Sequence, residues 1–403
     1  MEFDLVFEGG GAKGMVFVGA MQAFNEAGHT VGRLLGTSAG AITATLLAAG
    51  YTREEMLEAL VERENGKPVF AGFMGVPGPF SKAQVSGSAI AEFFTALDIP
   101  FVPGFVEEKI DDAFLKLFSS SEKFRHLFSF IERGGWYSAT RFRTWIEDKM
   151  NSGVFDGKPR NFGGMTLQQF YHATKKELGL IATDTSGQQM LILNHRTAPQ
   201  CPVVWAVRMS MSIPLVWQEV EWQESWGKYR DQDLTGHLIV DGGMLSNFPI
   251  ELFYSDAKHI TDVMGDKSAS EIIGLLIDEQ IYVADAPPLH AVTAELDMGN
   301  LKTIQRLKGL IDTMTTAHDK RIIDVLSDLV VRLPAKGFGT TEFDMSDARR
   351  NALLAAGKEE MKKYLNRRAA RMGMEASPSF EELNRVQMVA TKFAEKILEI
   401  EDQ

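Results

Sequence analysis

The residues best suited to chemistry lie near the start of the chain, where Gly36-Thr37-Ser38-Ala39-Gly40 sets a serine in a Gly-x-Ser-x-Gly turn. The apolar pair Leu34-Leu35 precedes the turn and the small-residue run Ala41-Ile42-Thr43-Ala44-Thr45-Leu46-Leu47 follows it, so the expected order is strand, tight turn, helix. Such an elbow exposes a serine Oγ at the mouth of a sheet, because glycines permit the sharp bend and the close approach of neighbouring chain. Ser38 is the candidate nucleophile. The plainer reading is an ordinary Gly- and Ser-rich turn, which the pattern alone does not exclude.

A second glycine run, Gly9-Gly10-Gly11-Ala12-Lys13-Gly14, falls between an apolar strand, Asp4 to Phe7, and a helical spacing of Met15, Val18, Met21 and Phe24 that stops at Gly28. The free N–H groups of a helix start can face a negative charge. The amides of Gly10, Gly11 and Ala12 can therefore serve as oxyanion donors, each worth ~3 kcal/mol of barrier when well placed. Gly9-x-Gly11-x-x-Gly14 also matches a dinucleotide fingerprint, but no Asp or Glu lies between Ala27 and Arg53, where the ribose-binding acid belongs. A Walker loop fails because Lys13 is followed by Gly14.

Ester hydrolysis through serine also needs a base. The eight histidines, His29, His126, His172, His195, His237, His259, His290 and His318, include none in a distinctive turn at a strand end. By contrast, His237-Leu238-Ile239-Val240-Asp241-Gly242-Gly243 is an apolar strand that ends in an acid and two glycines. In a parallel sheet this puts the carboxylate at the same edge as Ser38. An Asp near pKa ~3.9 is a poor base, so burial beside Val240 and Met244 has to raise it. The plainer reading of Asp241 is a turn-capping acid.

The surrounding elements alternate. Thr52-Arg53-Glu54-Glu55 is a capping box opening a helix that ends near Gly66, and Leu178–Asp184 with Gln189–Leu193 flank Thr185-Ser186-Gly187 as a hairpin. Ala206–Pro214 leads to the Asp241 strand; Glu271–Asp278 and Leu326–Leu333 read as buried strands. This alternation predicts a layered α/β/α fold with a mainly parallel sheet. Val69–Phe80 is a Gly/Pro-punctuated apolar loop with three Phe. From Phe93 to Phe130 phenylalanine is dense, as with Ile110, Phe114, Leu117 and Phe118 at helical spacing. That stretch reads as a helical subdomain with its rings inward, or as a lid or acyl-chain groove.

Composition narrows the function classes. The 403 residues carry a net charge of −12, 45% apolar and 24% charged residues, which suits an ordinary globular core and argues against bulk attraction to nucleic acid or anionic membrane. Cys201 is the single cysteine, so no intrachain disulfide forms and a reducing compartment fits. The start, Met1-Glu2-Phe3-Asp4, lacks the bases of a signal peptide, and no run reaches the ~18 apolar residues of a membrane span. A cytoplasmic protein is expected. From Asp347 to Arg371 bases outnumber acids around Leu353, Leu354, Met361 and Leu365, which fits either a docked helix or one lying on an anionic bilayer.

Taken together, the glycine run, the Ser38 turn and Asp241-Gly242-Gly243 resemble the three signature blocks of the patatin-like phospholipase family, in the family's order. The resemblance extends to Arg208-Met209-Ser210-Met211-Ser212-Ile213-Pro214, to Asn247-Phe248-Pro249 and, more weakly, to Gly337-Phe338-Gly339-Thr340-Thr341-Glu342-Phe343-Asp344. It implies a catalytic domain over residues 1–366, including a Phe-rich insertion at 93–165, followed by a C-terminal helical extension at 367–403. It also implies a Ser-Asp dyad without histidine or metal and no cofactor. Ser38 attacks the acyl carbonyl, Asp241 accepts its proton, and Gly9, Gly10, Gly11 and Ala12 form the oxyanion hole, with Lys13, Gly14, Gly36, Gly40, Gly242 and Gly243 as supporting motif positions. Lys13 matches a basic position of the family and reads as a surface lysine or a contact for lipid phosphate. The implied substrates are fatty-acyl esters of phospholipids, lysophospholipids or neutral lipids, met through transient contact with a membrane surface. A protein activator or self-association is compatible with this reading. The alternatives are an activator-dependent, membrane-damaging effector lipase, an idle patatin-like binding protein, and a Ser-His-Asp esterase.

Overall fold

The computed structural model describes residues 1–90, 92, 121–267, 271–288, 321–372 and 380–398. Most of the Phe-rich stretch, with Ile110, Phe114, Leu117 and Phe118, lies outside these residues, as do His290 and His318.

Strand β1, Glu2–Phe7, is buried from Phe3 onward on both faces. A strand apolar on both sides belongs in the middle of a covered parallel sheet, and β1 sits there. It pairs in parallel with β2, Thr30–Thr37, on one side and with the long strand Glu271–Tyr282 on the other. Strand Val330–Lys336 extends the sheet in parallel at one edge, and β3, Leu178–Asp184, adds to β2 in parallel on the other. The eight strands are completed by the antiparallel Gln189–Leu193, Leu238–Asp241 and Val220–Glu221.

Helices cover both faces. On one side α1, Val16–Glu26, and α2, Ala39–Ala48, pack with Val203–Ser210 and Asp347–Met372 over a large apolar core around Phe7, Phe17 and Phe24. On the other, Glu251–Tyr254, Lys258–Met264 and Phe380–Ile397 enclose a second core around Phe248, Ile250 and Ile260. The fold is a mixed α/β layering with a mainly parallel central sheet and a helical C-terminal region, as the alternation of elements predicts.

Local details refine the expectations. The hairpin around Thr185–Gly187 forms, with Leu180 opposite Leu193 and Asp184 opposite Gln189. The Thr52/Glu55 capping box is present, but its helix α3 spans only Arg53–Val61. The chain then makes a small hairpin pairing Arg63–Glu64 with Lys67–Pro68, turning on Asn65 and Gly66 with φ of 51° and 79°. Asn-Gly favours this two-residue turn, because both central residues need positive φ.

Asp241 does not arrive along a parallel strand. Leu238–Asp241 runs antiparallel to β3, with Asp241 opposite Ala182, while Thr37 of β2 pairs with Ile181 of the same strand. The acid therefore reaches the level of Ser38 from the opposite direction, because β3 runs on to Asp184 and the short strand descends from there.

The basic segment is one continuous helix, Asp347–Met372, laid across α1. Residue 366, the expected end of the catalytic domain, falls inside this helix. Arg349 and Arg350 are buried in ion pairs with Glu342 and Asp347 at 2.5 and 2.9 Å. No helix of the described residues is long and apolar enough to cross a membrane.

Candidate active site

The site is built where β2 stops and α2 starts. Ser38 stands between them with φ 53° and ψ −119°, a positive-φ backbone in a non-glycine residue. Such a conformation costs of order 1–3 kcal/mol and persists only when its surroundings enforce it. The enforcement is visible on both flanks. A Cβ on Gly36 would stand 2.5 Å from the carbonyl carbon of Gly40, and a Cβ on Gly40 would stand 2.7 Å from the Glu8 carbonyl oxygen. The Ser38 N–H donates to Ser210 Oγ at 3.0 Å.

Asp241 is 4% exposed, as is Ser38. Its Oδ1 accepts the Gly243 N–H at 2.8 Å, and its own N–H donates to the Ser212 carbonyl at 2.9 Å. Burial pushes the carboxyl up to about 7, against the opposing pull of hydrogen bonding from Ser38 and Gly243. Oδ2 has no partner of full hydrogen-bond geometry.

The glycine run contributes fewer free donors than its length suggests. The Gly9 N–H is spent on the Asn247 carbonyl at 3.2 Å and the Ala12 N–H on the Thr340 carbonyl at 2.8 Å. Among the described residues no acceptor is recorded for the N–H groups of Gly10 and Gly11, nor for that of Ala39 at the start of α2. Gly11 has φ 55° and its Cα is pressed against Thr340, so a side chain is excluded there. Gly14 lies against Ala39, and Gly242 against the Ile181 carbonyl. Lys13 is not a surface lysine: it is 3% exposed and ion-paired with Glu279.

Sequence reasoning passed over the residues that stitch these blocks together. The Asn247 side chain donates to Glu8 Oε1 at 3.1 Å and to the Gly9 carbonyl at 3.0 Å, tying the glycine run to the Asp241 turn. Ser210 and Ser212 hold the backbones of Ser38 and Asp241 from one segment. The family-like strings Arg208–Pro214 and Asn247-Phe248-Pro249 were the available signal, but nothing local in them names a role.

From Ser38 a narrow apolar slot of about 70 Å³ runs between α1, α2 and α3, lined among others by Ile42, Leu46, Leu60, Phe70, Trp145 and Trp217. Phe70, Phe73 and Trp145 pack ring to ring at 5.0–5.3 Å along one wall. Trp145 comes from the 93–165 stretch, whose Phe142 meanwhile packs on Phe73 in the core. None of the described histidines borders the slot or bonds to Ser38 or Asp241: His237 bonds Asp184 at 2.9 Å, His195 stacks on Tyr171, and His126 on Trp136.

A serine elbow at a sheet edge beside a buried carboxylate and an apolar slot is the arrangement of an α/β protein built for acyl chemistry. The family model of the patatin-like phospholipases matches residues 5–254, more than half of the chain. The chain belongs to the patatin-like phospholipase family, whose members act on lipid esters. It is 28% identical over 374 residues to the uncharacterized protein YqhO of Bacillus subtilis (strain 168), covering 91% of this chain and 98% of that one. It is 22% identical over 256 residues to protein R571 of Acanthamoeba polyphaga mimivirus, covering 63% and 62% of the two chains. Among solved structures it is similar to VipD from Legionella pneumophila, with a TM-score of 0.44, 15% identity and coverage of 98% of this chain and 75% of that one. ExoU of Pseudomonas aeruginosa, solved with SpcU, matches with a TM-score of 0.36, 17% identity and coverage of 98% and 58%.

Proposed function

We propose that the protein is a lipid acyl hydrolase of the phospholipase A or lysophospholipase type, with Ser38 as nucleophile and Asp241 as its base. The single observation that carries this reading is the strained, buried Ser38 set against a carboxylate whose pKa of about 7 lets it accept a proton near neutrality. Ser38 Oγ attacks the acyl carbonyl as Asp241 takes its proton. The N–H groups of Gly10, Gly11 and Ala39 hold the oxyanion, and collapse of the tetrahedral intermediate expels the alcohol, which takes the proton back. Water then repeats the sequence on the acyl-enzyme, with Asp241 again the base.

The slot supports a fatty-acyl substrate. It follows α2 from Ser38 to Leu46, about 12 Å at 1.5 Å per residue, the reach of a medium-length acyl chain, and its walls offer that chain almost no polar atom. A phospholipid or lysophospholipid presented at a bilayer surface fits this shape. No metal or cofactor enters the mechanism.

A fluorophosphonate probe is expected to label the wild type and to leave Ser38→Ala unlabelled. Asp241→Asn is expected to keep its circular dichroism and lose turnover by about 10³-fold or more, as loss of a general base and its hydrogen bond implies. Mass spectrometry of products from mixed liposomes identifies the ester cleaved. Labelling that persists in Ser38→Ala, or full turnover in Asp241→Asn, overturns the assignment.

A further inference from the structure

A second cavity, polar and about 460 Å³, is bordered by Arg143, Arg208, Gln218, Glu219, Trp205 and Thr140. Trp217 lines the apolar slot, and the residues after it, Gln218 and Glu219, border the polar cavity.

Arg208 sets this cavity apart. It is 5% exposed, and its recorded hydrogen bonds go to neutral acceptors, the Ser212 hydroxyl and the Gln218 carbonyl at 2.6 Å. Among the described residues the other buried arginines all have a carboxylate: Arg33 pairs with Asp4 at 2.7 Å, Arg160 with Glu55 at 2.6 Å, and Arg349 and Arg350 with Glu342 and Asp347. Arg143, in the same cavity, is already paired with Glu147 at 2.7 Å. A buried cation without a counter-charge is costly, and proteins seldom retain one without a purpose.

We propose that this cavity binds a small oxyanion, a carboxylate or a phosphate monoester, through the Arg208 guanidinium. A guanidinium carries five N–H donors in a planar fork suited to two-point binding of such groups, and the two recorded bonds leave donors over. Burial pulls Arg208 down to about 9, with no anion to oppose the pull. Glu219, the half-buried acid of the cavity, is pushed up toward its neutral form by its own burial and draws no compensation from Arg208. Glu221 at the rim is exposed.

The site is wired to the Ser38 elbow. Arg208 holds the Ser212 hydroxyl, which itself donates to the Arg208 carbonyl at 2.6 Å; the Ser212 carbonyl holds the Asp241 N–H, and Ser210 holds the Ser38 N–H. An anion drawing on the guanidinium therefore adjusts the segment that sets the distance between hydroxyl and carboxylate. This second step rests on the proposed hydrolase; the binding step does not.

Isothermal titration of the full chain with inorganic phosphate, and separately with acetate, at ionic strength held constant with sodium chloride tests the binding. The expected result is a saturable 1:1 heat with at least one of them. Affinity is expected to fall about tenfold or more in Arg208→Gln, the effect of losing a charge-assisted hydrogen bond. Thr140→Phe, a change at an exposed rim position, narrows the cavity without touching the charge and is expected to weaken binding as well, which keeps the test decisive should Arg208→Gln fail to fold. No saturable heat with either anion, or unchanged affinity in both variants, overturns the site. Where binding is confirmed, an esterase rate that the anion leaves unaltered overturns the coupling alone.

Discussion

Burial sets the Asp241 carboxyl to titrate near neutrality, up to about 7. As the base of the proposed mechanism it would work ionised, so kcat/KM is expected to rise with pH through about 7 and to level off above it; a profile flat between pH 5 and 9 contradicts the assignment. The same burial has a price in stability, with a definite sign. The folded carboxyl titrates above its unfolded value of ~3.8–3.9, so between about pH 4 and 7 the folded state binds more protons than the unfolded one. Stability contributed by this group is present below pH 4 and is lost as pH rises through about 7. Asp241→Asn, which cannot ionise, is therefore expected to raise Tm relative to wild type at pH 8 and much less at pH 5, while abolishing turnover. At this scale the serine and the aspartate were legible because each sits in a local string that bends the chain in a recognisable way. The spent amides of Gly9 and Ala12 were not, since their acceptors, Asn247 and Thr340, are fixed by tertiary contact alone.

At the scale of elements, the site depends on a segment that touches no reacting atom. The end of helix Val203–Ser210 and the turn after it reach both partners: Ser210 Oγ takes the N–H of Ser38, and the Ser212 carbonyl takes that of Asp241. Ser210→Ala leaves the Ser38 N–H buried without its acceptor, a loss of ~1–3 kcal/mol. Ser38 holds a disfavoured backbone, so relaxation of the elbow is the expected response. A fall in kcat of about tenfold or more with little change in KM is predicted, with a parallel slowing of fluorophosphonate labelling and recovery in Ser210→Thr. A purely structural role lowers Tm and leaves the kcat of the folded fraction intact. The strands, helices and hairpin could be read from their periodicity, but the direction of Leu238–Asp241 could not. Four residues carry no mark of parallel or antiparallel pairing, and the answer lies in β3, which overshoots Ser38 and lets the acid descend beside it.

For the molecule as a whole, the question left open by composition was whether the basic segment from Asp347 serves a bilayer or the fold. Counting charges cannot decide it, because Arg349 and Arg350 look like Lys362 and Lys363 in a tally and are opposite in place: the first two are buried in ion pairs, the last two face solvent. The helix is pressed onto α1 where two glycines permit it. A Cβ on Gly357 would collide with the Val16 carbonyl, and one on Gly19 with the backbone of Leu354, the carbonyl carbon lying 2.7 Å away. Lys358 to Glu26 at 2.9 Å and Arg371 to Asp328 at 2.7 Å add exposed ion pairs along its length, which contribute little by comparison. Gly357→Leu must push the two helices apart and is expected to cost at least the ~1–3 kcal/mol typical of an overpacked core, read as a lower midpoint in urea. Lys363→Ala, on the solvent face, is expected to move the midpoint by no more than ~0.5 kcal/mol. A helix that merely rests on membranes gives the reverse pattern, with Gly357→Leu silent in urea and Lys363→Ala weakening the binding of anionic vesicles.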